Sequence, residues 1–72
     1  MYEKLCAILD ALREQGITCK AETNAYSGIW EIVALVPIAC GVKFIRYPLS
    51  YSFIESYTTS YLVSHVIKEV LA

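Results

Sequence analysis

The segment IWEIVALV, residues 29–36, constrains the fold of this 72-residue chain more than any other stretch. Read with a period of two, it presents Trp30, Ile32, Ala34 and Val36 on one side and Ile29, Glu31, Val33 and Leu35 on the other. Both rows are apolar apart from one glutamate. A strand of that kind is ordinarily covered on both faces, and a short chain has little material to cover it with. A domain of ~60 residues hides only about 60% of the surface its unfolded chain exposes. The composition leans towards extra burial: 57% of the residues are hydrophobic and 18% charged, against roughly 45–50% and roughly 25% in an ordinary globular domain.

The flanking segments supply the remaining elements. Over residues 2–15, Tyr2, Leu5, Cys6, Leu9 and Leu12 recur at steps of three and four, with Glu3, Lys4, Asp10, Arg13 and Glu14 between them, which predicts an amphipathic helix. Gly16 stands where a left-handed C-terminal cap is expected. Residues 17–23 alternate, Ile17, Cys19, Ala21 and Thr23 against Thr18, Lys20 and Glu22, as a half-buried strand does. Residues 24–28 carry turn chemistry. Pro37 is expected to end the central strand, because proline cannot donate to the ladder, and residues 37–41 to connect it to a third. That third strand, residues 42–47, sets Val42, Phe44 and Arg46 against Lys43, Ile45 and Tyr47, and Pro48 closes it. A second helix is expected from Ser52, which has the capping-box spacing to Glu55. Its inner face would comprise Leu62, Val63, Val66, Ile67 and Val70, with Phe53 and Leu71 at the edge.

The order α-β-β-β-α with short links predicts one small α+β domain over residues 1–72. It would be a three-stranded antiparallel sheet with two helices packed on one face. If the Trp30 row meets the helices, Ile29, Glu31, Val33 and Leu35 look outward. Burying an aliphatic side chain is worth roughly 1.5–3 kcal/mol. The three apolar members of that row therefore represent about 5 kcal/mol, comparable with the ~3–5 kcal/mol of a core this small. The expectation is that a second copy or a different protein covers this row, a second copy being favoured because symmetric dimers are the commonest assembly. The alternative places one helix on each face and buries both rows in a monomer, at the cost of longer crossovers than these links provide.

Charge and chemistry narrow the function. The net charge is −1, and Lys4, Arg13, Lys20, Lys43, Arg46 and Lys68 are scattered, without the basic cluster that phosphate neutralisation needs. Cys6, Cys19 and Cys40 are odd in number and widely spaced, which reads as reduced core cysteines in a cytoplasmic protein, with a Cys6–Cys19 bridge left open. The residues Met1-Tyr-Glu-Lys lack a signal-peptide profile. The longest uncharged run, residues 32–42, is broken by Pro37 and Gly41 and falls short of the ~20 residues that span a bilayer, so no membrane partner is expected. The carboxylates lie on different elements and no phosphate-cradling glycine loop or short-range ligand pair exists, so catalytic, cofactor and metal residues are all assigned as none. The one histidine, His65, falls on the polar side of the second helix and reads as solvated.

Six tyrosines remain. Tyr57 and Tyr61 lie one helical turn apart, in a stripe with His65 and Lys68, while Tyr47 and Tyr51 flank the preceding turn. Tyrosine combines large contact area, few rotors and a hydroxyl, which enriches it at interfaces. These six residues and Trp30 are the candidate contacts for another protein. The order of elements is similar to that of the double-stranded-RNA-binding domain, over the whole chain. That family carries a lysine cluster at the start of its second helix; the corresponding stretch here, residues 52–60, has no lysine and carries Glu55. The resemblance implies the α-β-β-β-α fold and, as an alternative function, association with nucleic acid through tyrosine stacking. The leading expectation is a non-enzymatic, self-associating protein-interaction module: a small adaptor, assembly factor or inhibitor. A third is a small oligomeric enzyme using Cys19 or His65 in a shared cleft.

Overall fold

A computed structural model describes residues 2–24 and 28–72. The chain runs α1 (Tyr2–Glu14), β1 (Thr18–Asn24), β2 (Ile29–Ile38), β3 (Gly41–Ser50), α2 (Tyr51–Ser56) and α3 (Thr59–Leu71). The three strands form one antiparallel sheet in the order β1-β2-β3. The helices pack on one face of it, as the α+β reading of the sequence required.

Helix α1 buries Leu5, Ile8 and Leu12. The apolar stripe is therefore centred one position from the expected one: Ile8 is fully enclosed, whereas Cys6 and Tyr2 are exposed. The helix ends in a Schellman motif. Gly16, at φ +80, donates to the Arg13 carbonyl at 3.0 Å, and Ile17 donates to the Leu12 carbonyl at 3.1 Å. Leu12 and Ile17, the apolar pair that accompanies this cap, are both buried.

The strands extend further than proline was expected to allow. Strand β2 continues through Pro37 to Ile38, and β3 continues through Pro48 to Ser50. Register explains both. Pairing with β1 stops at Thr18 opposite Leu35, so Pro37 has a neighbouring strand on one side only. Pro48 lies on an edge strand, where a missing donor costs no second ladder. The expected connection over residues 37–41 contracts to a two-residue turn at Ala39 and Cys40, flanked by Ile38 paired with Gly41. The expected turn over residues 24–28 lies mostly outside the described residues; Asn24 ends β1 and Gly28 adopts φ +63.

The second helix is two helices. Ser50, rather than Ser52, caps α2, its Oγ accepting from the Phe53 amide at 3.1 Å. The backbone then turns extended at Tyr57 and Thr58, and Thr58 restarts it by accepting from the Tyr61 amide at 3.2 Å. The Ser- and Thr-rich stretch that weakens continuous helix thus supplies the caps of a broken one. Lys4 ties the break to α1, donating to the carbonyls of Ile54 at 3.0 Å and Tyr57 at 2.7 Å. Helix α3 buries Leu62, Val66 and Val70, with Val63 and Ile67 at the margin. These meet α1 and the inner sheet row of Trp30, Ile32, Ala34 and Val36 in a single core.

The caps give a direct check. Ser50→Ala and Thr58→Ala should each lower the unfolding free energy by about 1 kcal/mol. Glu55→Ala, which would remove the expected capping box, should change it by less than about 0.5 kcal/mol. Urea titration followed by circular dichroism measures all three.

Candidate functional site

The helix-free face of the sheet is built by the odd-numbered residues of β2 and the even-numbered residues of β1 and β3. Successive cross-strand rows are Thr18, Leu35 and Phe44; then Lys20, Val33 and Arg46; then Glu22, Glu31 and Pro48. The expected self-association row does not behave uniformly. Leu35 is 42% exposed and Ile29 is 36% exposed, but Val33 is buried at 7%, flanked in register by the long side chains of Lys20 and Arg46. Glu31 is engaged by Arg46, whose Nη1 donates to its Oε1 at 3.1 Å. The same guanidinium lies 3.7 Å from Glu22 Oε2, and Lys20 Nζ lies 3.0 Å from Glu22 Oε1. The Lys20 ammonium, by hydrogen bond and by charge, holds the Glu22 carboxyl below its ordinary range.

Beside this charged belt is an apolar end that the reading of β2 alone did not reveal. Phe44 is 57% and Val42 is 62% exposed, and the Arg46 guanidinium lies 5.6 Å from the Phe44 ring centre. The signal was in the sequence: the alternation of β3 places Val42, Phe44 and Arg46 on one side. Only the cross-strand register shows that this side is continuous with Leu35 and Val33. Between belt and apolar end runs an open groove of about 340 Å³, lined in part by Thr18, Lys20, Leu35 and Phe44.

The tyrosine stripe forms a second surface. Because the chain breaks at Tyr57 and restarts at Thr59, the rings of Tyr57, Tyr61 and His65 come into parallel stacking. Their centroids are 4.5 Å apart for the first pair and 5.8 Å for the second. Phe53 packs at 4.7 Å from Tyr57 and 5.5 Å from His65. His65 is half-buried rather than solvated, and its Nε2 sits 2.8 Å from the Tyr47 hydroxyl. Burial, reinforced by the charge of Glu69, pushes the Tyr47 phenol above its ordinary value. Lys68 joins Tyr61, Ser64 and His65 along a shallow groove. The structure does not bring the remaining candidates into this stripe. Trp30 is a core residue, 9% exposed, enclosed by Tyr2 edge-on at 5.7 Å and by Tyr51 at 6.3 Å. Tyr51 in turn bonds Thr23 through its hydroxyl at 2.7 Å.

The cysteines depart from the expectation of three core residues: Cys19 is buried, Cys6 and Cys40 are exposed, and all three are free. Burial raises the Cys19 thiol, whose Sγ lies 3.5 Å from the Leu9 carbonyl oxygen, so little thiolate forms there near neutrality. Among the described residues no three of His, Cys, Asp and Glu gather as metal ligands. No described helix is long and apolar enough to cross a bilayer. Comparison with protein-family models, with curated proteins and with solved structures gave no match to this chain.

The burial of the Tyr47 phenol predicts a pH dependence. A phenol whose folded pKa is raised stabilises the fold fully below its unfolded value, about 10. That contribution is lost as the pH rises through the folded value. Tyr47→Phe should therefore flatten the alkaline decline in stability, at a cost of about 0.5–1.5 kcal/mol near neutrality for the lost hydrogen bond. Urea unfolding of both proteins between neutral and alkaline pH reads both effects.

Proposed function

We propose that this chain is a non-enzymatic protein-interaction module, acting as a small adaptor, assembly factor or inhibitor, and that a second copy covers the helix-free face of its sheet. The observation that carries the reading is the exposure of Leu35 and Phe44 side by side in register, at the head of an open groove on a face no helix reaches. Leaving such residues in water forgoes burial worth roughly 1.5–3 kcal/mol each, a large share of a small domain's stability.

A second copy is favoured over a foreign chain by the charges beside them. The row of Lys20 and Arg46 lies next to the row of Glu22 and Glu31, so these four charges cancel and the face can meet itself about a two-fold axis, cations against anions. The aromatic stripe of Tyr57, Tyr61, His65 and Lys68 stays free on the helical side in such a dimer and is the surface offered to another protein. Its rings stack on one another, so part of each ring face is already covered, while the hydroxyls of Tyr57 and Tyr61 remain for polar contact. Nucleic-acid bases stack instead on open ring faces.

Sedimentation equilibrium at micromolar concentration should give about twice the 8.1 kDa of one chain. Phe44→Glu should weaken association by about tenfold or more, while Tyr57→Ala/Tyr61→Ala leaves it unchanged. A wild-type mass of 8.1 kDa throughout the range contradicts self-association.

A further inference from the structure

Of the six Lys and Arg side chains, Lys43 and Lys68 alone make no hydrogen bond or ion pair among the described residues. Lys68 has other donors for company. With Tyr61, Ser64 and His65 it lines a groove of about 230 Å³ on the helical side, the spacings of three and four along α3 bringing the four residues to one side of the helix.

Those donors are unused as well. The hydroxyls of Tyr61 and Ser64 form no hydrogen bond among the described residues. His65 commits one ring nitrogen, Nε2, to the Tyr47 hydroxyl at 2.8 Å. Burial keeps that phenol protonated near neutrality, and no other acceptor for its proton occurs among the described residues, so it donates to Nε2. A neutral imidazole that accepts at Nε2 carries its own proton on Nδ1. Tyr47 thereby sets the second nitrogen of His65 as a donor.

Given the stripe as a protein-contact surface, we infer that this groove seats one carboxylate side chain, Asp or Glu, of the segment that docks there. One ammonium and three neutral donors match a single negative charge whose two oxygens accept several hydrogen bonds. A phosphate monoester carries nearly twice that charge and is ordinarily met by clustered arginines, of which α3 has none. Glu69, the acid next to Lys68 in the chain, makes no ion pair with it and does not line the groove; its charge reaches Tyr47. Tyr57 and Tyr61, 41% and 48% exposed, leave aromatic surface beside the charge for the apolar neighbours of that carboxylate. The proposed dimer lies on the opposite side of the sheet and keeps the groove open, so the occupant belongs to a different protein.

Titration of the isotope-labelled full chain with two capped peptides, acetyl-Leu-Glu-Leu-Tyr-amide and its glutamine analogue, tests the site by nuclear magnetic resonance. The caps leave the side-chain carboxylate as the only anion. The glutamate peptide should shift the backbone signals of Ser64, His65 and Lys68 and bind about tenfold more tightly than the glutamine one. Lys68→Gln, at an exposed position, should abolish that preference, with circular dichroism and sedimentation mass as in the wild type. The imidazole spectrum of the free protein at mildly alkaline pH should show the proton of His65 on Nδ1; a proton on Nε2 overturns the site. Equal binding of the two peptides, or a preference that survives Lys68→Gln, overturns it too and leaves the stripe as a contact surface. No shift with either peptide overturns both.

Discussion

A sheet has two faces, and this chain owns helices for one. Every helical apolar residue that is fully enclosed, from Ile8 and Leu12 to Ile54, Leu62 and Val66, is directed to the side of the sheet that carries Ile32 and Ala34. The central strand is apolar on its other side as well, and the rest of the structure follows from how that second row is treated. Val33 is hidden by local means, between two long basic side chains whose stems shield it while their charges stay in water. Leu35, with Phe44 beside it, stays exposed even though Arg46 lies over the Phe44 ring. The molecule thus screens the middle of its free face with ions and leaves one end of it apolar.

The helical layer works because it is broken. A continuous helix from residue 52 would carry Tyr57 and the serines and threonines around it at helical spacing, with poor propensity and no cap near Thr58. Two short extended residues instead let Ser50 and Thr58 each begin a helix, and Lys4 closes the carbonyl end of the first. The break also sets the aromatic stripe in place. Tyr57, Tyr61 and His65 stack in parallel, and the hydrogen bond between His65 and Tyr47 fastens that stack to the edge strand. Side chains stacked on a fixed backbone in this way have little conformational freedom left to lose.

Much of this was legible in the chain itself. The period-two pattern of residues 17–23 and 29–36 and the glycine after α1 predicted element order, layer arrangement and the Gly16 cap. What escaped was non-local. Pro37 and Pro48 read as strand ends because proline breaks ladders, yet where a ladder is one-sided depends on where β1 stops pairing. Ser52 and Glu55 have the spacing of a capping box, but Ser50 takes the cap because β3 delivers it directly to the helix. His65 looked solvated on a helical wheel; the partner that half-buries it comes from a strand eighteen residues away. Phe44 and Val42 drew no notice as single residues and became prominent only through their row partners on β2.

The proposed cover for the free sheet face is a second copy. Methyl nuclear magnetic resonance spectra recorded over a dilution series, with a soluble paramagnetic agent present, address it most directly. The Leu35 and Ile29 methyls should be shielded from the agent at high protein concentration and exposed on dilution, while the methyls of Leu62 and Val66 stay shielded throughout. Leu35 and Ile29 methyls equally accessible to the agent at every concentration would contradict it.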